Sequence, residues 1–391
     1  MTTPAKYLEH LQREARKAGG IPAKTLARVE QEGRDIGFER SVLESLGIKD
    51  EKRLGEARKE FRRELREARK TIPTPLEDFH AHSLMKHLAG QLKKAAKQQN
   101  LNVPRLPVYG SLPVGQLNAM AIRVPESGEH LIAFQDGVFS FANMLTKAVA
   151  SSFPFKGESA DGEWQKFSGR LWGFQWGWFR NDEPLRRLGE FLHMYLVFGD
   201  ARQAEQYLVR DPFHLPAFIL REGFELFIFG HELGHVIAGH LGSAPEEPHK
   251  LGAGELVEAS TWDWDMELEA DAVGMRLALQ AMLNNGCDIT LSYCGIDMAF
   301  SAMEILDLAN STLLHGKAIP APSSETHPRP AVRRAFLRDL LRQQIGEKDA
   351  KQPIKRAEIL EEVLHQMWWR IYRRFKALHA AGERPLSAWS P

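Results

Sequence analysis

The run from residue 212 to residue 241, PFHLPAFILREGFELFIFGHELGHVIAGHL, contains the pentapeptide His231-Glu232-Leu233-Gly234-His235, and its reading decides the rest of the chain. Phe224, Phe227 and Ile228 continue one apolar face back from His231, so the run is expected to form a helix with a buried face. Residues four apart share that face, and two imidazoles can converge on one Zn²⁺ while the intervening glutamate stays beside the open coordination position. Gly234 and Gly239 are expected where another backbone comes close. By itself HExxH has only three fixed positions, so two satisfied core histidines remain an alternative.

A catalytic zinc needs a third protein ligand. Downstream, Glu267-Leu268-Glu269-Ala270-Asp271 offers Glu267 and Asp271 one helical turn apart, on a helix expected to begin near Asp265. If Glu267 ligates, Asp271 on the same face can accept a hydrogen bond from a ligating histidine and fix its tautomer. Ala270 and Gly274 are small enough to let this helix cross close to the first. Glu269 competes as third ligand but is out of phase with Asp271. His240 lies close to the third histidine of an extended HExxHxxGxxH site; that pattern needs glycine at 238 and histidine at 241, where this chain has Ala238 and Leu241.

Working outward, the 391 residues are 43% hydrophobic and carry 51 basic and 51 acidic side chains. This suffices for a large catalytic domain, and no global field favours nucleic acid or an anionic membrane. Cys287 and Cys294 match no metal or redox spacing, and the polar N-terminus lacks a signal-like apolar core. No uninterrupted apolar stretch of roughly 18 to 20 residues is read as a membrane span, the most apolar region being about 213 to 241. A cytoplasmic protein is expected.

Three regions follow. Residues 1–74 form a charged helical N-terminal region ending at the TIPTP stretch; it is either a solvated face or a docking arm for a partner. Residues 75–345 form the catalytic domain: a helix over about 76–98, short strands in LPVYG, NAMAIRV and HLIAFQDGVF, and an aromatic-rich insertion at about 150–220. Its ring-dense part, 151–181, either packs on the body or lines a groove. A Gly/Pro/acid-rich loop spans 242–254 and a proline-rich loop 318–330. Residues 346–391 form a C-terminal helical extension, with a helix over about 355–380. The fold class is α+β, predominantly helical.

Taken together, Asn118-Ala119-Met120-Ala121, the strand at 130–138, HELGHVIAGH, ELEAD, and Thr326-His327-Pro328 followed by Arg333 resemble, in order, segments of the zinc endopeptidase family that includes the CAAX prenyl proteases and the HtpX heat-shock protease. The resemblance spans about residues 76–341. It implies a zincin-like gluzincin core holding one zinc per chain on His231, His235 and Glu267, with Glu232 as general base and Asp271 behind the ligands. It also implies that His327 and Arg333 lie near the chemistry, and that the strand around Leu131–Phe134 is an edge on which an extended peptide could lie. Tyr293, His327 and Arg333 are the candidates for stabilising the oxyanion.

Members of that family are commonly membrane-embedded and have a shorter connection before the zinc helix. The expected activity is therefore hydrolysis of a protein or peptide substrate by a selective cytosolic regulatory or defence protease. The alternatives are a general quality-control protease, and a silent scaffold around a structural zinc closed by a fourth ligand.

Overall fold

The computed structural model describes residues 2–18, 70–101, 103, 106–153, 181–242, 246–250, 256–260, 263–320 and 328–386, with 55, 59, 63 and 178. Most of the charged tract 51–70, most of the ring-dense segment and His327 lie outside the described residues.

Helix α1 (Pro4–Ala18) precedes α2 (Phe79–Gln98), which starts where Asp78 accepts a hydrogen bond from the Ala81 amide. Three strands follow, β1 (Val108–Leu112), β2 (Ala119–Arg123) and β3 (His130–Gln135), in the order β1-β3-β2. β3 runs parallel to β1 and antiparallel to β2. The expected edge strand is thus the central one, and β1 and β2 are the edges. The buried run Leu131 to Gln135 shows why: a strand covered on both faces reads as continuously apolar rather than alternating.

One face of the sheet, with Leu112, Met120, Ile122, Leu131 and Ala133, packs on Leu8 and Leu11 of α1. The other sends Ile132 and Phe134 into the main core, where the Phe134 ring stands edge-on to Phe229, 4.9 Å away. This seats the sheet on α5. Gly137, read as the end of a strand, instead starts α3 (Gly137–Ala150), and α4 (Glu183–Phe198) follows.

Helix α5 (His214–Ile237) carries HELGH. The expected loop, 242–254, ends within an antiparallel hairpin, β4 (Glu246–Lys250) with β5 (Leu256–Ser260). Glycine, proline and acid content argued for a loop because strand pairing is not local information. The hairpin runs near β2 without joining its ladder.

Helix α6 (Trp264–Asn284) starts at the cap Asp263, whose carboxylate accepts from the Met266 amide at 2.9 Å. Asp288 caps α7 (Ile289–His315), which no local pattern had singled out. By length and composition α7 could cross a bilayer, but 72% of its apolar window is buried and it forms the centre of the core. It, rather than 213–241, passes the span criterion. Helices α8 (Pro330–Ile345) and α9 (Glu347–Ala380) meet at Gly346, and α9 starts eight residues before the expected position. Ala350, Ile354, Ala357, Leu360, Leu364, Met367, Ile371 and Phe375 recur every three or four residues along α9, which packs along α7.

Candidate metal centre

Helices α5 and α6 approach at backbone contact. A Cβ on Gly274 would stand 2.7 Å from the His231 nitrogen, and one on Gly234 would stand 2.8 Å from the Ala270 oxygen. Close crossing is therefore what the small residues at 230, 234, 270 and 274 permit. Gly239 behaves differently from expectation: nothing lies within 4 Å of its Cβ position, and its φ of +77° turns the chain out of α5. The turn brings the short 3₁₀ segment His240–Gly242 back beside His235.

Across the α5–α6 seam, His231, His235 and Glu267 bring one donor atom each within 4.8 Å of one another. The two Nε2 atoms are 3.2 Å apart. Glu267 places Oε1 3.6 Å from His235 Nε2 and Oε2 3.8 Å from His231 Nε2. For an ion with bonds of about 2.0–2.1 Å, tetrahedral ligand atoms stand about 3.3–3.4 Å apart. The three side chains thus form a possible single-ion metal site, with separations close to that edge.

Asp271 explains the presentation of His231. Its Oδ1 lies 2.9 Å from His231 Nδ1, and a carboxylate only accepts, so Nδ1 carries the hydrogen and Nε2 of the neutral ring is a lone pair facing the cluster. Asp271 is in turn clamped by Arg333, whose Nε and Nη2 each donate at 2.7 Å, while Arg333 Nη1 stands 3.0 Å from Glu267 Oε2. Arg333 lies 7% exposed on α8, and its three nitrogens are turned to the two carboxylates.

Burial opposes charge on Asp271, but the Arg333 guanidinium outweighs it and holds the carboxyl below its ordinary range. Burial likewise opposes the His231 cation, yet Asp271 and Glu267 raise its pKa; the same negative charge favours a metal cation at Nε2. His235 has its pKa pushed down to about 4 by burial, leaving a neutral ring suited to ligation.

Glu232 lies between the histidines on α5, buried, with its pKa raised by burial. Its Oε2 accepts from the Ala121 amide at 2.7 Å, which ties it to the outward side of edge strand β2. A backbone donor leaves no trace in a sequence, so this partner could not be read there.

Among the rivals for third ligand, Glu269 points outward, its side chain 62% exposed, with Oε2 3.1 Å from His240 Nε2. Tyr293, an oxyanion candidate by sequence, is buried in the main core on α7. His327 lies outside the described residues. A scan of protein-family models gave no match, nor did searches of curated proteins and of solved structures.

Proposed function

We propose that this chain is a zinc-dependent endopeptidase with a zincin-like HExxH core, of the kind its motifs resemble, acting on a protein or peptide in the cytosol as a selective regulatory or defence protease. The observation that carries the reading is the pair of Nε2 atoms 3.2 Å apart, completed by a Glu267 oxygen, with Glu232 on the intervening helical position. Among the described residues two nitrogens and one carboxylate converge, a set that leaves a tetrahedral zinc one open position and supports a catalytic rather than a closed structural site. When bound, zinc supplies Lewis acidity toward a scissile carbonyl and lowers the pKa of water.

The chain's own groups divide the remaining work. The Ala121 amide holds Glu232 Oε2, orienting Oε1 to take a proton from the attacking water and return it to the leaving amine. The raised pKa of Glu232 brings it closer to that task than an exposed carboxylate. Arg333 and Asp271 hold Glu267 and His231 in place, so Arg333 serves this reading as a positioning residue.

An extended substrate is proposed to lie along β2, an edge strand, beside the amide that holds Glu232. The charged N-terminal region and the aromatic-rich insertion are the elements proposed to select a partner.

Elemental analysis and a quenched-peptide library test this together. Wild type should carry one zinc per chain and cleave; Glu232→Gln should keep the metal and lose about 10²–10⁴-fold in rate. A wild type that takes up no zinc on reconstitution overturns the reading.

A further inference from the structure

The two histidines of HELGH differ in what stands behind them. His231 backs onto a carboxylate, whereas His235 Nδ1 lies 2.9 Å from Nδ1 of another histidine, His240. Two ring nitrogens at that distance share one hydrogen, and which ring supplies it decides whether His235 can bind a metal. If His235 Nδ1 carries the hydrogen, Nε2 of the neutral ring is a lone pair; if His240 Nδ1 carries it, a neutral His235 holds its hydrogen on Nε2 and cannot ligate.

The far side of His240 resolves the choice. Its Nε2 lies 3.1 Å from Oε2 of Glu269, and a carboxylate oxygen accepts. Nε2 of His240 therefore carries a hydrogen, and the geometry sets its Nδ1 as the acceptor and His235 Nδ1 as the donor. The positive φ of Gly239 makes this contact possible by folding the chain back immediately after α5.

We propose that His240 and Glu269 form a hydrogen-bond relay, Glu269 to His240 to His235, that sets the His235 tautomer and presents its Nε2 to the ion. This rests on the metal reading above and deepens it: Glu269, a rival for the third ligand, positions a ligand instead. The two ligands are then braced differently, His231 by a buried carboxylate and arginine, His235 by a chain that ends at the surface.

The test is heteronuclear NMR of the histidine side-chain nitrogens in metal-free protein at neutral pH, beside zinc affinity by chelator competition. In wild type His235 should be protonated at Nδ1 and bare at Nε2. His240→Leu should shift it toward the Nε2–H form and weaken zinc by about 10–100-fold, the usual effect of losing such a partner.

His240→Asn, whose amide oxygen can occupy the place of Nδ1, should restore both readouts. Glu269→Gln, which still accepts, should stay near wild type, and Glu269→Leu should fall between.

Nε2–H on His235 in the wild type overturns the relay, as does an affinity and tautomer indifferent to His240→Leu. The expected tautomer pattern in a protein that binds no zinc would uphold the relay and overturn the metal reading, so the two failures are distinguishable.

Discussion

Asp271 and Glu77 are both buried carboxyl groups enclosed by donors, yet they are displaced in opposite directions. Asp271, 0% exposed, receives two hydrogen bonds from Arg333 and is held ionised, below its ordinary range. Glu77 receives the Ser111 amide and Gln12 Nε2, each at 2.7 Å, in the seam between α1 and the sheet. There burial dominates, the neutral donors offset it only in part, and the pKa is pushed up from 4.5 to about 8. Among the described residues no lysine or arginine pairs with Glu77.

The comparison separates the two roles. Burial sets the cost of charge, and a cation offsets it to a degree that varies with the site: Arg333 more than offsets it at Asp271, whereas Asp297 stays raised by burial although Arg338 donates to both its oxygens. Asp271, which fixes the His231 tautomer, sits beside an arginine; Glu77, which joins α1 to the sheet, receives neutral donors instead.

The largest effect should come from removing the cation. Arg333→Met leaves Asp271 and Glu267 buried without their partner, and breaking such a pair costs about 3–5 kcal/mol. Urea unfolding of metal-free protein measures it. Adding Asp271→Asn should recover part of the loss, because the unpaired charge, not the missing contacts, carries most of the penalty. If Arg333→Met unfolds like wild type, the arginine is not what keeps Asp271 ionised, and the contrast with Glu77 fails.

The second effect tests how Asp271 reaches His231. Gly274→Ala puts a Cβ 2.7 Å from the His231 nitrogen and should cost about 1–3 kcal/mol as the helices part. Gly90→Ala on α2 meets nothing within 4 Å and should be neutral or stabilising by up to about 1 kcal/mol. Equal effects at both positions would mean that the α5–α6 crossing tolerates separation, and that the 2.9 Å contact of Asp271 with His231 does not depend on it.

What could be read beforehand follows the range of each signal. The HELGH pair and the Glu267/Asp271 pair are local, set by one helical turn, and their side chains do come together; small residues at 270 and 274 announced the crossing. Non-local features were missed. The sequence expectation of an edge at β3 differs from its central place because pairing partners are invisible in one strand, although its unbroken apolar run points to the centre. The β4–β5 hairpin was hidden by loop-like composition.

Core helix α7 was passed over because Ser292, Tyr293, Asp297 and Ser301 are buried with its apolar residues, leaving no amphipathic period to detect. Glu232's partner is a backbone amide, and His240's role depends on the left-handed turn at Gly239; neither is a matter of side-chain spacing.

The smallest effect per unit change is the pH dependence carried by Glu77, and its sign is opposite to that of Asp271. A folded pKa of about 8 against an ordinary 4.5 means that, between those values, the folded chain keeps a proton the unfolded chain has lost. Stability from this group is complete below about 4.5 and declines as pH rises toward 8, by at most about 1.4 kcal/mol per pH unit. Asp271, with its folded pKa lowered, contributes above the ordinary carboxylate range and loses that contribution as pH falls.

Asp136, pushed up to about 7 chiefly by burial, acts in the same direction as Glu77 but stops earlier. Urea midpoints across pH 5 to 8 should therefore fall less steeply in Glu77→Gln than in wild type, and less again in Glu77→Gln/Asp136→Asn, where Glu225, pushed up to about 8 by burial, keeps part of the slope. A Glu77→Gln slope equal to that of wild type would show Glu77 ionised in the folded chain, held by its two neutral donors alone, and the contrast with Asp271 would fail.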